Sequence, residues 1–258
     1  MKKTIIYFLL CGLSANYLHA EESDSLSFNE ITLHVGYQNN YFKDEVFSPL
    51  NQQGNGMQFG LGYKRTLQNI FGVSLQYGSG SLNVYENNSY SDSYLNINLA
   101  LEYLAKLPLG NTTTVFYLGG TYETKAFFLE WNDLDTFSYT SSQGFSIKGL
   151  IAKEINSKHG IETAIGIPIF QWLGRPPYNS IDEFIIENQD NPVSIMLKGK
   201  PSSFGKYLGL DWDLGYRYRI NSRLVWYVNY SLILQKVKDV HQFIHLSMVP
   251  STGIAFKF

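Results

Sequence analysis

The chain has 258 residues, 44 % hydrophobic and 16 % aromatic, with 19 Tyr, 17 Phe, one Cys and a formal net charge of −2. A single cysteine excludes an internal disulfide framework and a cysteine-built metal site. The acidic balance lacks the basic footprint that nucleic-acid binding needs, and no apolar run of about 18 residues follows the N-terminal segment to serve as a transmembrane helix.

The first element is a leader. Lys2 and Lys3 form a basic n-region, residues 4–13 an apolar core, and Leu18-His19-Ala20 a cleavage site before Glu21. This pattern predicts a secretory signal peptide over 1–20 and a mature domain over 21–258. Cys11 falls inside the leader behind Leu10, which argues against a lipoprotein anchor. Removing Lys2 and Lys3 leaves 18 basic residues against 22 acidic ones.

The mature chain then alternates with a period of two, the signature of strands with different surroundings on their two faces. Ile31, Leu33, Val35 and Tyr37 alternate with Thr32, His34 and Gly36. Met57 to Tyr63 and Phe71 to Tyr77 give a second and third strand around a turn at Gln68-Asn69. Leu95 to Tyr103 give a fourth, turning at Leu109-Gly110-Asn111 into a fifth from Phe116 to Tyr122. Phe145 to Ile151 and Ile161 to Ile169 flank a turn at Asn156-Ser157-Lys158. Leu208 to Tyr218 and Leu224 to Leu234 flank Asn221-Ser222. Residues 244–258 make the tenth strand.

The connections decide the class. Tight turns after strands two, four, six and eight alternate with polar loops expected at about 38–54, 79–92, 127–141, 171–205 and 236–242. Short turns at one end, longer loops at the other and an even strand number describe a membrane barrel. Strands of nine or more residues can cross a bilayer when tilted. The fold expected is therefore an all-β, ten-stranded antiparallel up-and-down transmembrane β-barrel, placed in the outer membrane of a Gram-negative bacterium.

In lipid the greasy face must point outward and the polar face inward, because only a closed sheet or a helix satisfies the backbone there. Lys64, Glu102, Lys148, Glu162, Asp211, Asp213, Arg217 and Arg219 then form a lumen polar network. Buried in a soluble core, the same charges would be prohibitively costly. Tyr63, Tyr103, Tyr216, Tyr218 and Trp226 fall near strand ends, where interfacial girdles belong. The Asp211, Asp213, Arg217, Arg219 cluster could bind a polar ligand or line an ion path; bracing of a narrow barrel is the favoured reading.

The ending Gly253-Ile254-Ala255-Phe256-Lys257-Phe258 resembles the C-terminal signal of bacterial outer-membrane proteins, with Ile254, Phe256 and the terminal Phe258 at alternate positions. The resemblance implies recognition by the outer-membrane assembly machinery and a setting of outer-membrane lipid and lipopolysaccharide. Pro250 is expected to mark a bulge.

Function is read as non-enzymatic: surface loops for contact, or a porin-like lumen that binds or passes a small solute. The alternative is a hydrolase at the barrel rim. Asp239 and His241, with Asp133 and Asp135, resemble the Asp-x-His and paired Asp of omptin-family proteases, where a carboxylate-oriented His activates water. His34 and His245, with Ser247 or Ser251, are the counterpart for a lipid A acyl hydrolase. Residues 180–186 have capping-box spacing before an apolar run, which predicts a short helix at about 181–188. No P-loop, zinc motif or GxSxG occurs in the mature chain, so no cofactor and no metal are expected.

Overall fold

The structure is a computed structural model that describes residues 28–46, 48–84, 87–111, 113–131, 137–175, 187, 191, 194, 199–238 and 241–258. The predicted leader and most of the segment expected to form a helix at 181–188 lie outside these residues; of that segment Glu187 is described, in helical conformation.

The described residues form eleven strands: β1 (Phe28–Asp44), β2 (Ser48–Thr66), β3 (Ile70–Val84), β4 (Asn87–Gly110), β5 (Thr114–Trp131), β6 (Phe137–Glu154), β7 (His159–Gly174), β8 (Lys200–Ser202), β9 (Tyr207–Arg219), β10 (Leu224–Val237) and β11 (Phe243–Lys257). Each barrel strand pairs antiparallel with its neighbour, β7 pairs β9, and β11 closes on β1. The result is a closed ten-stranded barrel, with β8 as a three-residue addition to the edge of β7. Moving from Phe28 across paired residues once around the barrel returns to Asn40, twelve positions along the starting strand. Such a stagger tilts the strands, as closure of a sheet requires.

Glycine makes room where inward side chains meet. A Cβ on Gly60 would stand 2.0 Å from the His34 ring, so any larger residue there would force that ring to move.

The strands run well past the expected loops. β1 continues to Asp44 and β2 begins at Ser48, so most of 38–54 is paired sheet. The same holds for 79–84, for 138–141 and for the two ends of 171–205, which is strand to Gly174 and again at Lys200–Ser202. A 17-residue strand is about 55 Å long at ~3.3 Å per residue and climbs about 40 Å when tilted. The apolar belt of a barrel is about 25 Å tall. The surplus stands above the membrane as a collar.

Two irregularities differ from the sequence reading. Register shifts between Phe145 and Ser146 opposite β7, where Phe145 pairs Phe170 and Ser146 pairs Pro168. The extra residue, Ile169, reverses the inward parity, so Gln171 and Leu173 are the buried residues beyond it. At Pro250 the expected bulge is absent. β11 keeps its register with β10 through Tyr230↔Pro250, and the ladder to β1 skips from Gly36↔Ser251 to Asn39↔Met248 without a shift. A proline has no N–H to give, so the ladder loses a rung while the register holds.

Candidate functional site

The interior is layered along the barrel axis. In the lower two-thirds charged and polar side chains line the interior, with Ile70, Leu104, Val225 and Val249 buried among them. Glu30 on β1 is 2 % exposed and takes Arg217 of β9 at 2.5 Å and Lys64 of β2 at 4.0 Å. Arg217 also approaches Glu162 at 3.5 Å. Lys148 on β6 meets Glu102 on β4 at 2.6 Å, and Lys125 on β5 meets Asp211 on β9 at 2.7 Å and Glu123 at 2.9 Å. Asp213 accepts a hydrogen bond from the Ser231 hydroxyl at 2.6 Å. Contacts between β1 and β9, and between β5 and β9, span the lumen. In the low dielectric of a barrel interior such charges are tolerated only when paired in this way.

Seven of the eight lumen residues expected from the sequence thus sit in one connected interior. Arg219 is apart from them: it ends β9 and donates to the Ser157 carbonyl at 2.9 Å, at the turn end. Three further partners, Glu30, Glu123 and Lys125, complete the network. Glu30 precedes the first strand expected from the sequence. Glu123 and Lys125 belong to the fifth strand, whose alternation is weak; Lys125 lies past its expected end.

Among these groups is a cavity of about 290 Å³, lined by Glu102, Lys148, Glu162, Asp213 and Arg217 among others. The buried hydroxyls of Thr121 and Ser146 also face it, without a hydrogen-bond partner among the described residues. It is polar and roomy enough for water.

Above this chamber the chemistry inverts. Phe42, Leu82, Tyr94, Phe127, Leu129, Leu173, Tyr207, Val237 and Phe243 point inward and form one buried cluster. Eight of the ten barrel strands contribute to it. Phe42 of β1 stacks on Phe127 of β5 at 5.0 Å, and Tyr94 of β4 stacks on the same residue at 5.4 Å. Phe243 meets Phe42 edge-on at 5.4 Å. Since β1 and β5 stand almost opposite in the barrel, these rings close the middle of the lumen. On the outer face at this height Lys43, Gln53, Asn55, Ser81 and Ser93 stand beside Tyr41, Trp172 and Ile244, a more polar face than the belt below.

A latch ties the top down. Arg175, just beyond β7, binds the buried Asp44 carboxylate at 2.5 Å, donates to the His241 carbonyl at 2.9 Å and lies 5.4 Å above the Phe243 ring. Glu45 accepts from the Gln242 amide at 2.9 Å; that bond first, then Lys43, holds its carboxyl below the usual range.

The expected catalytic groups are not assembled among the described residues. Asp133, Asp135 and Asp239 lie outside them, and His241 is exposed, its described contact being the backbone one to Arg175. His34 bonds the Tyr227 hydroxyl at 3.3 Å, while His245 bonds Asn40 at 3.1 Å within the aromatic layer. Ser247 accepts from Gln38 and Ser251 donates to the Asn229 carbonyl, so neither faces a histidine. Among the described residues no cluster of three or more His, Cys, Asp or Glu could hold a metal ion.

The belt, the closed sheet and the charged interior define an outer-membrane β-barrel, and the outer membrane is its location. Comparison with solved structures agrees on the fold. The outer membrane protease OmpT of Escherichia coli superposes with a TM-score of 0.54 at 8 % identity, over 93 % of this chain and 99 % of that one. Neisserial surface protein A aligns at 0.39 and 13 % identity over 88 % and 97 % of the two chains. The translocator domain of NalP from Neisseria meningitidis aligns at 0.40 and 8 % identity over 98 % and 95 %. Of the three, OmpT is near enough to bear on the architecture. No family model matches the sequence, and no curated protein does.

Proposed function

We propose that this chain is a non-enzymatic surface barrel of the Gram-negative outer membrane, whose collar presents a folded platform for contact and whose lumen passes no solute. The observation that carries this reading is the aromatic layer drawn from eight strands across the bore. A porin-like path would have to cross Phe127, on which both Phe42 and Tyr94 stack, and the buried His245 ring packed 4.7 Å from it. Ion pairs that span the interior below add a second obstruction.

The same reading takes residues 1–20 as a cleaved secretory signal and Ile254, Phe256 and Phe258 as the signal read by the assembly machinery. Phe256 and Phe258 stack at 6.3 Å on the lipid side, where a partner strand or protein can reach them. N-terminal sequencing of protein from outer-membrane fractions is expected to begin at Glu21.

Planar-bilayer recording tests the lumen. The purified barrel is expected to give no stepwise current, and the Phe42→Ala/Phe127→Ala variant is expected to leak. A steady single-channel conductance from the unaltered protein would overturn the reading.

A further inference from the structure

The collar is not uniform around its circumference. On β2, β3 and β4 the outward residues just above the belt are uncharged: Gln53 and Asn55, Ser81, Ser93. On the sector from β9 through β10 and β11 to β1 they are Lys206, Lys238, Lys236 and Lys43. The last two flank Ile244 in one lateral row, since Ile244 pairs with Lys236 on one side and Lys43 on the other. Lys236 pairs in turn with Leu208, which is 47 % exposed to lipid. Two residues higher, the Lys238 amide donates to the Lys206 carbonyl at 2.7 Å, so these two lysines continue the register side by side.

Like charges directly opposite on neighbouring strands repel and destabilise a sheet. Lys206 and Lys238 stand in that relation, and with Lys236 and Lys43 on either side of Ile244 beside them the patch calls for a counter-charge. The described carboxylate in reach is Glu45, which is engaged with Lys43 at 3.2 Å. Immediately below the patch lie the lipid-facing Leu208, Leu234, Leu246 and Met248. Cations stacked directly on the upper rim of an apolar belt stand at the depth of the headgroups.

We propose that Lys43, Lys206, Lys236 and Lys238 form a docking site for the phosphate-bearing headgroup of an outer-leaflet lipid, whose acyl chains lie along β9, β10 and β11. This rests on the surface-barrel reading and goes beyond it by giving one sector of the collar a ligand. Lysine ammoniums on flexible stems suit a phosphate as point charges, without the fixed fork of arginine.

The test uses full-length barrel in phosphatidylcholine nanodiscs doped with lipid A or with enzymatically dephosphorylated lipid A, and native mass spectrometry of the released complexes. Lipid A is expected to co-purify at least tenfold over its dephosphorylated form. The K43Q/K206Q/K236Q/K238Q variant is expected to lose that preference. The K106Q/K153Q/K158Q variant, altered at the exposed turn end, is expected to keep it, and heat-modifiable gel migration confirms that both variants are folded. Equal recovery of the two lipids overturns the proposal, as does an equal loss in both variants. Retention on heparin resin together with no lipid preference overturns it in favour of a surface glycan, and displacement of lipid A by millimolar inorganic phosphate overturns it in favour of a free-anion site. Failure of the lumen reading would show instead as conductance, which none of these outcomes requires.

Discussion

The lower and upper halves of this barrel solve opposite problems with one continuous sheet. Below, Leu33, Phe59 and Leu75 stand about half exposed on the outside while Glu30, Lys148 and Arg217 pair within. Above, Lys43 and Gln53 face out while Phe42, Leu82 and Phe243 are fully buried within. The backbone pattern does not change across the boundary; the solvent does. Lipid outside forces the polar residues in, and water outside allows the ordinary hydrophobic core to form. The collar is thus a small water-soluble barrel grown on top of a membrane one, and its core is also the stopper of the lumen.

The largest expected effect tests that core. Phe127→Ala removes a ring stacked with both Phe42 and Tyr94 and is expected to cost about 3–5 kcal/mol. Leu75→Ala on the lipid face is expected to cost clearly less, because mobile lipid refills the space a missing side chain leaves. Urea unfolding from bilayers compares the two. An equal loss would mean that the collar is not packed as a core.

Charge scanning sharpens the same boundary. Leu75→Arg places a cation on the belt and is expected to cost about 2–4 kcal/mol at the bilayer midplane. Ser81→Arg, six residues farther along β3 on the same outer face, is expected to change stability by less than about 0.5 kcal/mol. Similar penalties at both positions would place lipid around the collar and dissolve the distinction.

This boundary also explains what the sequence could and could not disclose. Ile31 to Tyr37 alternate cleanly because one face meets lipid and the other meets Thr32 and His34. In 38–44 the outward Asn39, Tyr41 and Lys43 and the inward Gln38, Asn40, Phe42 and Asp44 are of mixed character on both faces, so the period of two loses its contrast although the strand continues. Turn chemistry looks like loop for the same reason. The extra residue at Ile169 then shifts parity midway along β7, which hides Gln171 and Leu173 as inward positions. Interior charges on strong strands, such as Glu162 and Arg217, were legible from parity alone. Their partners Glu30 and Lys125 were not, because one precedes the clear alternation and the other lies past the expected end of a weak strand. The aromatic layer was beyond reach altogether, since it joins residues from eight strands that only the stagger of the closed barrel brings to one level.

Within the lower half, Glu30→Gln tests whether the lumen charges act together. The substitution leaves Arg217 with Glu162 at 3.5 Å and Lys64 without the Glu30 carboxylate. A loss of about 1.5–3 kcal/mol is expected, in line with a hydrogen bond to a charged group. Adding Arg217→Met to the same chain is expected to cost less than the two single losses summed, because the Glu30–Arg217 bond can be lost only once. Additive losses would show that the two residues are held independently.

The smallest effect probes the girdle at the turn end. The Trp226 indole N–H donates to the Thr252 hydroxyl at 2.9 Å, and that hydroxyl donates to the Tyr227 carbonyl at 3.1 Å. Trp226→Phe removes a donor but leaves Thr252 with its carbonyl partner, so a loss of only about 0.5–1.5 kcal/mol is expected. Thr252→Val instead strands the indole N–H on the lipid face, and about 1–3 kcal/mol is the cost of an unsatisfied donor there. The order matters more than either value. In water both groups would find other partners and the two variants would converge, so a clear excess for Thr252→Val, read by urea titration in bilayers, marks these residues as belonging to the lipid half. Equal losses would move the lower edge of the belt above Trp226.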